Sequence, residues 1–76
     1  MTVKAYVFIL TKPGTSLEVV EQLKTKMGVL SADAIYGRFD VVAVVEADRP
    51  EDLTRVLYNT IEKIPNITRT ETSLAL

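Results

Sequence analysis

The stretch Tyr36–Ala47, "YGRFDVVAVVEA", sets a glycine and an Arg-Phe-Asp step directly against a run of valine and alanine. A strand that is apolar on both faces, such as Val41–Val45, belongs in the middle of a sheet, because an edge or half-exposed strand alternates with polar residues. The segment before it, "VLSADAIYG" (29–37), is of mixed character and reads as a second strand. Gly37-Arg38 between them suits a two-residue type II′ hairpin, with glycine supplying the positive φ of the first central position.

Working outward, Val3–Leu10 is apolar except for Lys4 and rich in β-branched and aromatic residues. It stops at Pro13-Gly14 and reads as another central strand. "TSLEVVEQLKTKMG" (15–28) predicts a helix with Thr15 or Ser16 as N-cap, Thr15 and Glu18 at capping-box spacing, and Leu17, Val20, Leu23 and Met27 on one face until Gly28. "DRPEDLTRVLYNTIEKI" (48–64) predicts a second helix with Asp48 as N-cap, Pro50 in the first turn, and a stripe of Leu53, Val56, Leu57, Ile61 and Ile64. Pro65 and Asn66 end it, and "ITRTETSLAL" (67–76) alternates as a last strand.

The order strand, helix, strand, strand, helix, strand is that of a ferredoxin-like βαββαβ unit of the α+β class, with a four-stranded antiparallel sheet and two helices on one face. The first and third strands fall in the centre. The second and fourth carry Ser31 and Asp33, and Arg69 and Glu71, the polarity that edges use against uncontrolled pairing. Residues 1–76 make a single domain, with no linker, repeat or low-complexity tract. A chain this short buries only about 60% of the surface its unfolded form exposes. The sheet face away from the helices is also apolar, so the sequence predicts a homodimer closing sheet against sheet, a dimeric α/β-barrel.

Composition narrows the chemistry. Cysteine and histidine are both absent, which removes disulfides, the usual zinc and haem ligands, and histidine or cysteine catalysis. No metal site and no cofactor are expected; Asp33, Asp40 and Asp48 are dispersed and match no calcium loop. Nine basic and ten acidic residues are interspersed, so no direct nucleic-acid partner is expected. With neither a signal layout nor a membrane-spanning run, the expected compartment is the cytoplasm.

The most specific chemistry lies in the opening stretch. A glycine turn offers backbone N–H groups to a carboxylate, Arg38 reinforces that charge, and Asp40 accepts an ammonium group, which together suit a zwitterion such as a free amino acid. On the residues alone the plainer reading is favoured, a hairpin glycine chosen for its dihedral beside an exposed Arg38–Asp40 ion pair. Met27 reads as core filler and Tyr58 as an exposed contact on the second helix.

"AYVFILTKPG", "GRFDVVAVVEA" and "IPNITRTETSLAL" together resemble the Lrp/AsnC family's C-terminal regulatory domain, the RAM domain. Gly37, Phe39 and Asp40 fit its G-x-[YF]-D step, and Pro65, Ile67, Thr70, Thr72 and Leu74 fit its closing strand. The resemblance implies a non-enzymatic, amino-acid-sensing domain of transcription regulation that dimerises through its sheet and assembles into octamer-like rings of dimers. It implies effector binding in clefts between subunits, lined by Tyr36, Gly37, Arg38 and Asp40, with Thr70, Thr72 and Ser73 contributing hydroxyls. Because Met1 stands almost directly on the first strand, the likeness is to a stand-alone form lacking the helix-turn-helix domain. It would act, if on transcription, by mixed assembly with a full-length Lrp/AsnC regulator. Two other classes fit the topology: a small dimeric α/β-barrel enzyme of monooxygenase or isomerase type, with Tyr6 or Tyr36 as its polar group, and an ACT-type amino-acid-binding module.

Overall fold

The computed structural model describes residues 2–76; Met1, which the sequence places directly ahead of the first strand, lies outside them. Its elements are β1 (Val3–Thr11), α1 (Ser16–Lys24), β2 (Val29–Ala34), β3 (Val41–Ala47), α2 (Pro50–Asn59), a 3₁₀ turn (Ile61–Lys63) and β4 (Ile67–Leu74). The strands form one antiparallel sheet in the order β2-β3-β1-β4, so the two strands that are apolar on both faces are the two central ones. No helix among the described residues is long and apolar enough to cross a membrane.

The register sorts the side chains by face. Ala5, Val7 and Ile9 of β1 oppose Val45, Ala43 and Val41 of β3, and all six are buried. Val19, Val20 and Leu23 of α1, Leu53 of α2, and Ile61 and Ile64 beyond it close over them. On the opposite face Tyr6 and Phe8 oppose Val44 and Val42, and there Tyr6 remains 38% exposed. That open face is edged by Ser31 and Asp33 on β2 and by Arg69, Glu71 and Ser73 on β4, which oppose Val44 and Val42 or Leu10, Phe8 and Tyr6.

The first helix starts at an expected N-cap but without its capping box, and the second starts one residue later than expected. Thr15 is the N-cap of α1, yet its hydroxyl donates back to the Lys12 carbonyl (2.7 Å) and caps no helical N–H, so the capping box with Glu18 does not form. In α2 the N-cap is Arg49, in extended conformation, rather than Asp48. Pro50 accounts for this: its ring drives the preceding residue out of the helical region, and proline itself is well placed at the first helical position. Arg49 Nε then donates to Asp52 Oδ2 at 3.3 Å.

The helix ends differ too. α1 stops at Lys24, where the Thr25 hydroxyl donates to the Gln22 carbonyl at 2.7 Å and competes with further helical turns. Met27 is thereby carried off the helical face and is 92% exposed, so it is no core filler; Leu17, in the first turn, is 71% exposed. The buried stripe is Val19, Val20 and Leu23. α2 ends at Asn59 and tightens into the 3₁₀ turn, whose threefold repeat brings Ile61 and Ile64 onto one face and into the core.

Candidate functional site

Between β2 and β3 the sequence predicts a two-residue hairpin, and the structure corrects this. The last register pair is Ala34 with Val41, the Ile35 N–H donates to the Asp40 carbonyl at 2.9 Å, and Tyr36–Phe39 form a four-residue tip. Gly37 has φ of +136°, outside the usual range of L side chains, with open space around it. Tyr36, Gly37 and Arg38 are exposed, whereas Phe39 is half-buried because its ring turns onto Phe8, centroids 5.4 Å apart. Phe39 thus ties the turn to the open face of the sheet.

Asp40 explains why a carboxylate sits against so apolar a strand. Its N–H donates to the Ile9 carbonyl (2.9 Å), and its Oδ2 accepts from the Thr11 N–H (2.9 Å) and the Thr11 hydroxyl (3.3 Å). Where β3 turns away, the side chain supplies the acceptor that a continuing strand would have offered Thr11, and the central ladder is finished without an orphaned donor. Among the described residues Asp40 makes no ion pair with Arg38.

Asp40 and Tyr36 line a hollow of about 300 Å³ together with Ala34, Ile35 and Ser16, the first residue of α1. Since the Thr15 hydroxyl is turned onto Lys12, the N–H groups of the first turn of α1 carry no side-chain cap beside this hollow. The arrangement sets a carboxylate and a phenol against a helix start, a combination suited to a small molecule bearing both charges. Thr11 and Ser16 were the residues that sequence spacing did not single out for this site; both are distant in the chain from the turn.

The other expected residues fall elsewhere in the subunit. Thr70 opposes Ile9 on the far side of β1, so strand spacing puts it about 10 Å from Asp40. Thr72 lies further along β4 opposite Val7, on the helix side, and Ser73 opposes Tyr6 on the open side. One subunit therefore gathers Tyr36 and Asp40 into the hollow, holds Gly37 and Arg38 at the adjoining tip, and leaves Thr70, Thr72 and Ser73 apart. A larger hollow, about 520 Å³, lies at the other end of β3, between α2 and the α1–β2 turn. Its walls include Glu46, Arg55 and Val56, and it holds none of the expected site residues.

The comparisons agree with this architecture. Residues 4–76 match the Lrp/AsnC ligand binding domain. The crystal structure of FFRP-DM1 is 34% identical and superposes with a TM-score of 0.91 over 97% of this chain and 99% of that one. The hypothetical protein PHS023 from Pyrococcus horikoshii is also 34% identical, with a TM-score of 0.91 over 97% of this chain and 89% of that one. AsnC of E. coli is 25% identical, with a TM-score of 0.90, and here 97% of this chain spans 50% of the relative. No curated protein sequence matches. With the family match running from the first strand to the last residue and the βαββαβ sheet in the same order, this chain belongs to the Lrp/AsnC ligand binding domain family.

Proposed function

We propose that this protein is a regulatory domain that senses a free amino acid, or a similar small zwitterion, at the hollow beside the β2–β3 turn and performs no catalysis. The observation that carries the reading is the placement of Asp40 and Tyr36 beside the uncapped first turn of α1, within a chain of a ligand-binding family. The Asp40 carboxylate receives the α-ammonium group, while the ligand carboxylate is met by N–H groups of the tip and of the helix start. Arg38 adds charge from the rim. A transcriptional regulator from Neisseria meningitidis that shares the fold, at 14% identity and a TM-score of 0.84, was solved as a complex with L-Met.

The hollow is open in one subunit, and Thr70, Thr72 and Ser73 reach it only from another. Closure by assembly follows: sheet-to-sheet homodimers, ringed into an octamer-like assembly, place the hollow in a cleft between subunits. Influence on transcription then passes through assembly, including mixed assembly with a full-length Lrp/AsnC regulator. The layer between sheet and helices is packed with aliphatic side chains, which favours this reading over a barrel enzyme holding substrate there.

Thermal unfolding against the twenty amino acids tests the proposal. A ligand at about 100 times its Kd adds about 2.7 kcal/mol to the folded state, so at least one amino acid should raise the midpoint. Asp40→Asn keeps an acceptor for Thr11 while losing the charge, so it should fold normally and lose the response. Flat responses to all twenty, or an undiminished response in Asp40→Asn, would overturn the assignment.

A further inference from the structure

The outer edge of β4 is unpaired and its sequence is chemically palindromic. Around Thr70 the strand reads Thr68-Arg69-Thr70-Glu71-Thr72, so that reversal exchanges threonine for threonine and arginine for glutamate. Arg69 and Glu71 share a face, their side chains 3.7 Å apart and exposed. We infer that β4 pairs antiparallel with β4 of a second copy about a twofold axis at Thr70, joining two sheets edge to edge. The seam uses the backbone edge of β4 and runs along the rim of the open sheet face, where the Arg69 and Glu71 side chains lie.

Backbone direction limits the possible registers. The Ala75 N–H donates to the Lys4 carbonyl at 2.8 Å, and Lys4 with Ala75 continues the register in which Tyr6, Phe8 and Leu10 oppose Ser73, Glu71 and Arg69. In an antiparallel ladder hydrogen-bonded pairs alternate with non-bonded ones, so Arg69, Glu71 and Ser73 direct their backbone groups to β1. Thr70 and Thr72 direct theirs outward, to the free edge. A second β4 must therefore set even-numbered residues against even-numbered ones.

Within that constraint charge chooses the centre. A twofold axis at residue 69 opposes arginine to arginine, and one at 71 opposes glutamate to glutamate, both unfavourable. An axis at Thr70 opposes Arg69 to Glu71 twice. These fall at non-hydrogen-bonded positions of the new pairing, where cross-strand side chains approach most closely. Thr70 exchanges two backbone hydrogen bonds with its own copy, and Thr72 faces Thr68. At Thr68 a bulge interrupts pairing with β1, and its hydroxyl donates to the Leu10 carbonyl at 3.2 Å, so the central and Thr72 contacts form the better-ordered part. The charged residues that ordinarily protect an edge here refuse the two neighbouring registers and favour the one centred on Thr70, which alone pairs Arg69 with Glu71.

Because the chain lacks cysteine, single-cysteine variants of the full protein report this register directly. Under mild oxidation Thr70→Cys should form a covalent dimer. Thr72→Cys alone should not, since its copies stand about 13 Å apart, four residues along the strand. Thr68→Cys mixed with Thr72→Cys should cross-link where neither does alone. In the Thr70→Cys background, Arg69→Glu should lower the cross-linked yield about tenfold, and adding Glu71→Arg should restore it. Cross-linking of Thr72→Cys equal to that of Thr70→Cys, no cross-linking at residue 70, or failure of the charge exchange to restore the yield would each overturn the inference. These readouts are independent of the amino-acid titration, so either proposal can fail while the other stands.

Discussion

Asp40 finishes the central ladder of the sheet, its Oδ2 held by Thr11, and at the same time lines the hollow beside the turn. Asp40→Ala strips Thr11 of its acceptor and should cost about 1–2 kcal/mol of folding stability, the range for a partly buried donor left without its partner. Thr11→Val removes only the 3.3 Å hydroxyl contact and should cost less. Urea unfolding distinguishes them as a shift of midpoint at constant slope. An Asp40→Ala protein as stable as the wild type would contradict the bonding described for this residue.

At the scale of the element, apolar spacing showed that a helix follows Pro13-Gly14, but carried it to Gly28 where the structure ends it at Lys24. Leu17, Val20, Leu23 and Met27 all satisfy a helical repeat. At the observed end the Thr25 hydroxyl shares the Gln22 carbonyl with the Thr25 N–H, and the Lys26 N–H bonds the Leu23 carbonyl, so the last turn tightens and the helix stops. Leu23, wholly buried, should cost about 2–5 kcal/mol when cut to alanine, whereas Met27→Ala should change stability by less than about 0.5 kcal/mol. Differential scanning calorimetry checks both. The strands were legible for a sturdier reason: a twofold repeat with both faces apolar has few readings, and β1 and β3 took the central places that their composition required. The caps were harder to read: Thr15 and Ser16 compete at α1, and at α2 Pro50 shifts the cap from Asp48 to Arg49.

For the whole molecule, the open sheet face is the largest unresolved debt of surface to solvent. Tyr6, Phe8, Val42 and Val44 lie together on it, and covering several hundred Å² would contribute on the order of 10 kcal/mol before the costs of association. The proposed sheet-to-sheet dimer predicts that Phe8→Glu, which leaves the helix-side core untouched, removes that contact and lowers the mass of the wild-type assembly in light scattering. A wild-type monomer at micromolar concentration would dismiss that assembly. The candidate site was legible only as far as one hairpin reaches. Tyr36 and Asp40 stood out in the linear chain, but Thr11 and Ser16 come to them through folding, and Thr70, Thr72 and Ser73 were brought into the site by resemblance alone.

The stacking of Phe39 on Phe8 carries a thermodynamic obligation. Phe39 is one residue from Asp40 and also part of the surface available to a neighbouring subunit, so a metabolite that settles the tip also settles one corner of that surface. If binding tightens association by some factor, association must tighten binding by the same factor. Measured metabolite affinity should then rise with protein concentration, and replacing Phe39 by alanine should flatten that dependence.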